Sequence, residues 1–166
     1  MSGHNHDRSA LSYSLLLPDE FDLIRPLWEQ LNQHHSTLAS PFAAEIAART
    51  FEPRARQLRD KALSGSLRIE IARTAPDTPP VAYCVTSLSA ERVGEIDSLF
   101  VMPDCRRMGI ASTLVERALK WLQDSDAASM RVTVLHANDE ALAFYRRFGF
   151  HPRNIELELL PKDHNA

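Results

Sequence analysis

Hydrophobic positions follow two periods along this chain, and the changes of period outline its elements. Leu11 to Leu17 reads as a short strand. Asp19 and Glu20 then open a helical pattern in which Phe21, Ile24, Leu27, Trp28 and Leu31 recur at three- and four-residue spacing, the stripe an amphipathic helix buries. Ser40-Pro41 starts a second helix through Phe42, Ile46 and Ala47. Pro53 is expected to break it and to begin a further helical stretch through Ala55, Leu58 and Leu63 to Gly65. From Ser66 the period drops to two. Leu67, Ile69 and Ile71 alternate with polar residues, Pro79-Pro80 turns the chain, and Val81 to Leu88 returns as a second, antiparallel strand. A third run, Val93 to Val101, precedes Pro103-Asp104 and a helix from about Gly109 to Gln123 with Ile110, Leu114, Ala118, Trp121 and Leu122 on one face. A strand at Met130 to Leu135, a helix from Asp139 to Phe148 closed by Gly149, and a last strand at Ile155 to Leu160 complete the pattern.

The order β, α, α, β, β, β, α, β, α, β is an α/β arrangement, with βαβ geometry around the helix after the third run. Length and composition add one domain to that picture. With 166 residues, 44% of them hydrophobic and 25% charged, the chain suits one globular core over 11–166 behind a disordered polar tail at 1–10. Twenty-two acidic against 19 basic side chains leave a net charge of −3, which argues against nucleic acid as a partner. Two cysteines, Cys84 and Cys105, are too few for a disulfide scaffold, so a reducing, cytoplasmic setting is expected. The longest purely aliphatic run is Leu15 to Leu17, and neither a signal peptide nor a membrane span is expected.

The five glycines, Gly3, Gly65, Gly94, Gly109 and Gly149, permit neither a dinucleotide nor a Walker-type phosphate loop. What the chain has is Arg106-Arg107-Met108-Gly109-Ile110-Ala111 between a strand and an amphipathic helix. Backbone N–H groups there, the positive end of the helix dipole and two arginines suit a pyrophosphate; two solvated arginines at a helix entry are the plainer alternative. Glu95 and Asp97 lie two apart on a strand and share a face if no bulge intervenes. A carboxylate there can take the proton of an ammonium acceptor, orient a cation, or face solvent. Asn138, before Asp139 and Glu140, is a helix N-cap, and Tyr145 on the same helix fits a packing position. His34 and His35 read as solvated residues of a polar loop between the first two helices. His4 and His6 have no third metal ligand nearby, and Cys105, though next to two arginines, has no partner that makes it a nucleophile.

Two stretches carry a resemblance. Arg106-x-x-Gly109-x-Ala111 after a strand resembles motif A of the GNAT (Gcn5-related) N-acetyltransferase superfamily, and Asn138-Asp139-Glu140-Ala141-Leu142-Ala143-Phe144-Tyr145-Arg146-Arg147-Phe148-Gly149-Phe150 resembles its motif B. The resemblance is close over about Val93 to Phe150 and topological elsewhere. It implies an α/β (α+β) mixed sheet whose two parallel central strands splay to admit the pantetheine of acetyl-CoA. It places the pyrophosphate on Arg106, Arg107, Met108, Gly109, Ile110 and Ala111, the pantetheine arm on the backbone of Leu99, Phe100 and Val101, and a secondary cofactor contact on Asn138. Tyr145 would protonate the departing CoA thiolate. Glu95, by its spacing from Arg106, would be the base, facing the same side of the strand as Leu99 and Val101. Asp97, His34 and His35 would help form the acceptor pocket. The implied activity is acetyl transfer from acetyl-CoA to a primary amine by direct attack in a ternary complex, with a small-molecule acceptor. Protein or peptide acetylation, or acyl-CoA binding without catalysis, are the alternatives. No metal, nucleic-acid or membrane partner is implied, and the chain is expected to be a monomer or homodimer.

Overall fold

The protein is described by a computed structural model over residues 11–38 and 41–160. The expected polar tail at 1–10 lies outside the described residues, as does Ser40 at the expected start of the second helix. Two compact units are formed, one from residues up to Leu31 with Thr50–Thr133, the other from Asn32–Arg49 with residues from Val134 onward.

The first unit holds a five-stranded sheet in the order β1 (Ser12–Leu15), β2 (Gly65–Arg73), β3 (Ala82–Ser89), β4 (Val93–Val101), β5 (Ser129–Val132). The first four strands are antiparallel and β4–β5 is parallel, joined by α4 (Ile110–Asp124), so the mixed sheet implied by the resemblance and the βαβ unit expected from the pattern are present. Before the sheet's second strand the chain runs through a 3-10 helix (Pro18–Ile24) into α1 (Arg25–Thr37). The sequence pattern implies one plain helix here. Pro26 explains the difference: it has no N–H to give to the carbonyl four residues back, so the preceding turn closes with shorter-range bonds such as Arg25 N–H to Asp22. The Glu20 carboxylate accepts the Leu17 N–H at 2.8 Å and secures the entry.

Pro53 falls in the first turn of α3 (Phe51–Ser64), where a missing N–H costs nothing. One face of the sheet is covered by this helix, the 3-10 helix and the start of α1. Phe21, Ile24, Leu27, Trp28, Phe51, Ala55 and Leu58 meet Ile69, Ile71, Tyr83, Val85 and Phe100 in one core. Leu63, expected on that stripe, is 87% exposed. It follows Leu58 by five residues, about 140° around the helix, so it points away. On the other face α4 lies against β3 and β4 with Ile110, Leu114, Val115, Ala118 and Leu122 buried. Gly94 lets α4 come this close, since a Cβ there would sit 2.8 Å from the Leu122 methyls. Arg117 of α4 also reaches Oε1 of the buried Glu70 on β2 at 2.5 Å.

The second unit contains α2 (Ala43–Ala47), the end of α1 and α5 (Asp139–Arg146), and Asn32 Nδ2 donates to the Ile46 carbonyl at 2.8 Å. The last predicted strand is corrected. Residues 155–160 pair with no described strand, and Ile155, Leu157 and Leu159 are 80%, 90% and 92% exposed. Alternation says which side chains would share a face; it does not supply a neighbouring edge. The two histidines are likewise relocated. His34 and His35 stand on the last turn of α1, not in a loop.

Candidate active site

The site begins with an irregularity in β4. Opposite pairs run Ala82–Val101, Tyr83–Phe100, Cys84–Leu99 and Val85–Ser98, then shift to Thr86–Ile96, Ser87–Glu95 and Leu88–Gly94, which leaves Asp97 as the extra residue of a β-bulge. Directly opposed residues point to the same face. Glu95 therefore shares the α3 face with Ser87, while Leu99 and Val101 share the α4 face with Cys84 and Ala82. The expectation that Glu95 faces the same side as Leu99 and Val101 is overturned: the bulge shifts the alternation by one, and Ser98 and Phe100 take that side instead. Arg54 of α3 donates to the bulge carbonyl of Asp97 at 3.1 Å, and Tyr83 Oη is 2.6 Å from Ser98 Oγ.

The bulge coincides with a parting of strands. The register of β4 with β5 runs from Val93–Ser129 to Ile96–Val132 and stops there, so β4 from Asp97 to Val101 has no described strand on its β5 side. β5 is correspondingly shorter than the Met130 to Leu135 run predicted for it.

At the far end of β4 the chain makes the turn singled out in the sequence. Arg107 and Gly109 both take left-handed conformations, with φ of 63° and 78°. Arg106 Nε turns back to the Val101 carbonyl at 3.3 Å. Gly109 is the N-cap of α4 and has no side chain with which to cap it; the first intrahelical bond is Thr113 N–H to the Gly109 carbonyl at 3.0 Å. The N–H groups of Ile110 and Ala111 precede that ladder, and no acidic residue stands in the first turn to compete for an anion. Arg106, Arg107, Met108 and Gly109 are exposed.

The two carboxylates of β4 do come together, around a cation the sequence did not single out. Lys61 of α3 bonds to Asp97 Oδ1 and lies 3.2 Å from Glu95 Oε2 and 3.4 Å from Ser87 Oγ. Ser87 Oγ donates to Asp97 Oδ2 at 2.6 Å, and Arg131 of β5 donates to Glu95 Oε2 at 3.0 Å. The Asp97 side chain is 2% exposed and both its oxygens are engaged. The cation it holds in this structure is the protein's own lysine. Glu95 keeps 18% exposure, and both cations use its Oε2. Burial pushes the Glu95 carboxyl up, but the Arg131 hydrogen bond and the nearby Lys61 outweigh it and hold the group below its ordinary value. A lysine on a helix reads as solvated, and nothing in the sequence linked residue 61 to residues 95 and 97; only the register between α3 and the sheet does so.

Asn138 and Tyr145 belong to the second unit. Asn138 Oδ1 accepts the Ala141 N–H at 3.1 Å, the N-cap role read from the sequence. Tyr145 is 7% exposed, edge-on to Phe144 and Phe150 with ring centroids 5.2 and 5.7 Å away. His34 and His35 lie 6.1 Å apart by ring centroid. Burial, then the charges of His34 and Arg49, lower the His35 pKa. Cys84 is buried, and burial raises its thiol to about 12, so it stays protonated. Among the described residues no cluster of three His, Cys, Asp or Glu could hold a metal ion.

Comparison with known proteins agrees with this architecture. A peptidyl-lysine N-acetyltransferase of Salmonella typhimurium is 32% identical over 97 residues, covering 53% of this chain and 63% of that protein. An uncharacterised N-acetyltransferase of Methanocaldococcus jannaschii is 28% identical over 71 residues, 43% of this chain and 31% of that one. The matched stretches thus span about a third and under two thirds of these two relatives. Among solved structures, AAC(6')-Iy, in complex with the bisubstrate analogue CoA-S-monomethyl-acetylneamine, superposes with a TM-score of 0.63 at 16% identity, covering 93% of this chain and 99% of its own. The family model of the GNAT acetyltransferases matches residues 27–150, and the chain belongs to that family.

Proposed function

We propose that this chain is an acetyl-CoA-dependent N-acetyltransferase acting on a small-molecule primary amine. The observation that carries the proposal is the parting of β4 from β5 after Ile96–Val132, leading to an uncapped helix N-terminus behind a left-handed Arg107–Gly109 turn. That geometry suits a long ligand with an anionic end. The β5 side of β4 from Leu99 to Val101, beside no described strand, can hydrogen-bond an amide-bearing arm as a strand would, while N–H groups from Arg107 to Ala111 and the two arginines receive a pyrophosphate.

In this reading the acceptor nitrogen bonds to the acetyl carbon as the carbon–sulfur bond breaks, both reactants being held in one complex. The ammonium proton passes to Glu95, directly or through water, at the Oε1 side left by Lys61 and Arg131. Tyr145 supplies a proton to the thiolate, as the family resemblance implies; a phenol of pKa about 10 is a suitable donor to a thiolate whose ordinary value is about 8.5. Support for a cytoplasmic site of action comes from the two unpaired cysteines and from the absence, among the described residues, of a helix long and apolar enough to cross a membrane.

The test is release of CoA thiol across a panel of simple amines, amino acids, polyamines, aminoglycosides and peptides. Turnover with a small amine that is lost in Glu95→Gln supports the proposal. Turnover with peptides alone moves the acceptor class, and tight CoA binding without turnover on any amine leaves an acyl-CoA-binding module.

A further inference from the structure

Lys61 comes from the last turn of α3 and ends between the two carboxylates of β4. The charged groups bonded at this point come from three elements. Lys61 and Arg54 come from α3, Glu95 and Asp97 from β4, and Arg131 from β5, while β3 contributes the neutral Ser87. Lys61 and Arg131 thus pair the two carboxylates while Arg54 bonds the Asp97 backbone carbonyl, and the pair of acids that looks in sequence like a cation pocket already contains its cation. A second positive charge brought in by a ligand would find both carboxylates already paired.

We propose that Lys61 is a built-in counter-cation that sets the acceptor class: the site takes amines whose remaining groups are neutral or anionic and excludes those bearing a second ammonium, such as polyamines and multiply aminated sugars. The proposal rests on the reading above that Glu95 faces the acceptor. Its internal logic is substitution. Lys61 Nζ stands where the second ammonium of a diamine would otherwise bridge Glu95 and Asp97. Removing the lysine charge should vacate that position and turn an excluded ligand into a favoured one.

Hexylamine, 1,6-diaminohexane and 6-aminohexanoate differ only in the far group and serve as probes. Each is titrated calorimetrically into the CoA-saturated protein at neutral pH. Wild type should bind the diamine at least about tenfold more weakly than hexylamine, with 6-aminohexanoate no weaker than hexylamine. Lys61→Gln should shift the diamine-to-hexylamine ratio by about tenfold or more toward the diamine, and Lys61→Arg should keep the wild-type ranking. A diamine that binds wild type as well as hexylamine, a ratio unmoved in folded Lys61→Gln, or no binding of any probe overturns the proposal. Should Lys61→Gln not fold, the wild-type ranking alone decides. Turnover of the best panel acceptor by Glu95→Gln separates the two failures. Unchanged turnover removes Glu95 from the acceptor site, whereas reduced turnover with a flat probe ranking removes only the role of Lys61.

Discussion

At the scale of single residues, Gly109 and Glu95 make the sharpest claims. Gly109 has φ of 78° and nothing within 4 Å of where a Cβ would be, so a Cβ there meets no neighbour. Valine instead strains the left-handed backbone and places a branched group at the mouth of the N–H cluster. Acetyl-CoA at a hundred times its dissociation constant should stabilise wild type by about 2.7 kcal/mol. Gly109→Val should abolish that gain in a thermal-shift titration, and a retained shift would remove the turn from the cofactor site. Glu95, held below its ordinary pKa, is ionised throughout the neutral range. The rise of kcat/KM with pH above 6 should then follow the acceptor amine, with an ordinary value of about 10.4 for a lysine-like group, while Glu95 governs only an acid limb. Glu95→Gln should lower kcat/KM by about a hundredfold or more at neutrality and recover part of it at high pH, where free amine is abundant. Tyr145→Phe should lower kcat by about ten- to a thousandfold with little change in KM for acetyl-CoA. Gly109 and Tyr145 stood out in the sequence because they lie in contiguous motifs, and Glu95 by its spacing from Arg106. Lys61 did not, because its meaning comes from a contact 34 residues away.

At the scale of elements, the sequence pattern located β4 from Val93 to Val101 and the helix that follows, since strong periodicity marks an element that buries one face. It could not show the bulge. A bulged strand keeps its composition while its register slips, so Glu95 and Leu99, apparently on one side, end on opposite sides. The missing strand at 155–160 and the early end of β5 share a related cause, because pairing depends on a partner edge and alternation describes one strand alone. The contact that joins α3 to β4 beside the bulge makes an element-level prediction. Lys61→Gln leaves the 2%-exposed Asp97 carboxylate without its ammonium, whereas Asp97→Asn removes the charge that needs it. In urea unfolding the double variant should therefore be more stable than the sum of the single losses implies, with a coupling of about 1–3 kcal/mol. Additive losses would mean the pair contributes nothing beyond its separate side chains.

For the whole molecule, the same electrostatics shapes how stability responds to acid, and two partly buried groups mark two steps. His35 has its pKa lowered from the ordinary 6.5, chiefly by burial, so the fold prefers the neutral ring. Above 6.5 the ring is neutral folded or unfolded and stability is at its plateau; as pH falls through 6.5 the unfolded chain takes up the proton first, and stability is lost down to the folded-state value. Glu95 has its pKa lowered from the ordinary 4.5, because Arg131 and Lys61 together outweigh burial, so the fold prefers the carboxylate. Its contribution is complete above 4.5 and is lost as pH falls from there through the folded-state value. Denaturation midpoints measured from pH 8 to pH 3 should show two separated declines. His35→Gln should flatten the one beginning near 6.5 and leave the second, while Glu95→Gln should do the reverse. A His35→Gln protein that keeps the first decline would assign it to other histidines, and one decline beginning only below 4.5 in wild type would show that His35 is solvated in both states.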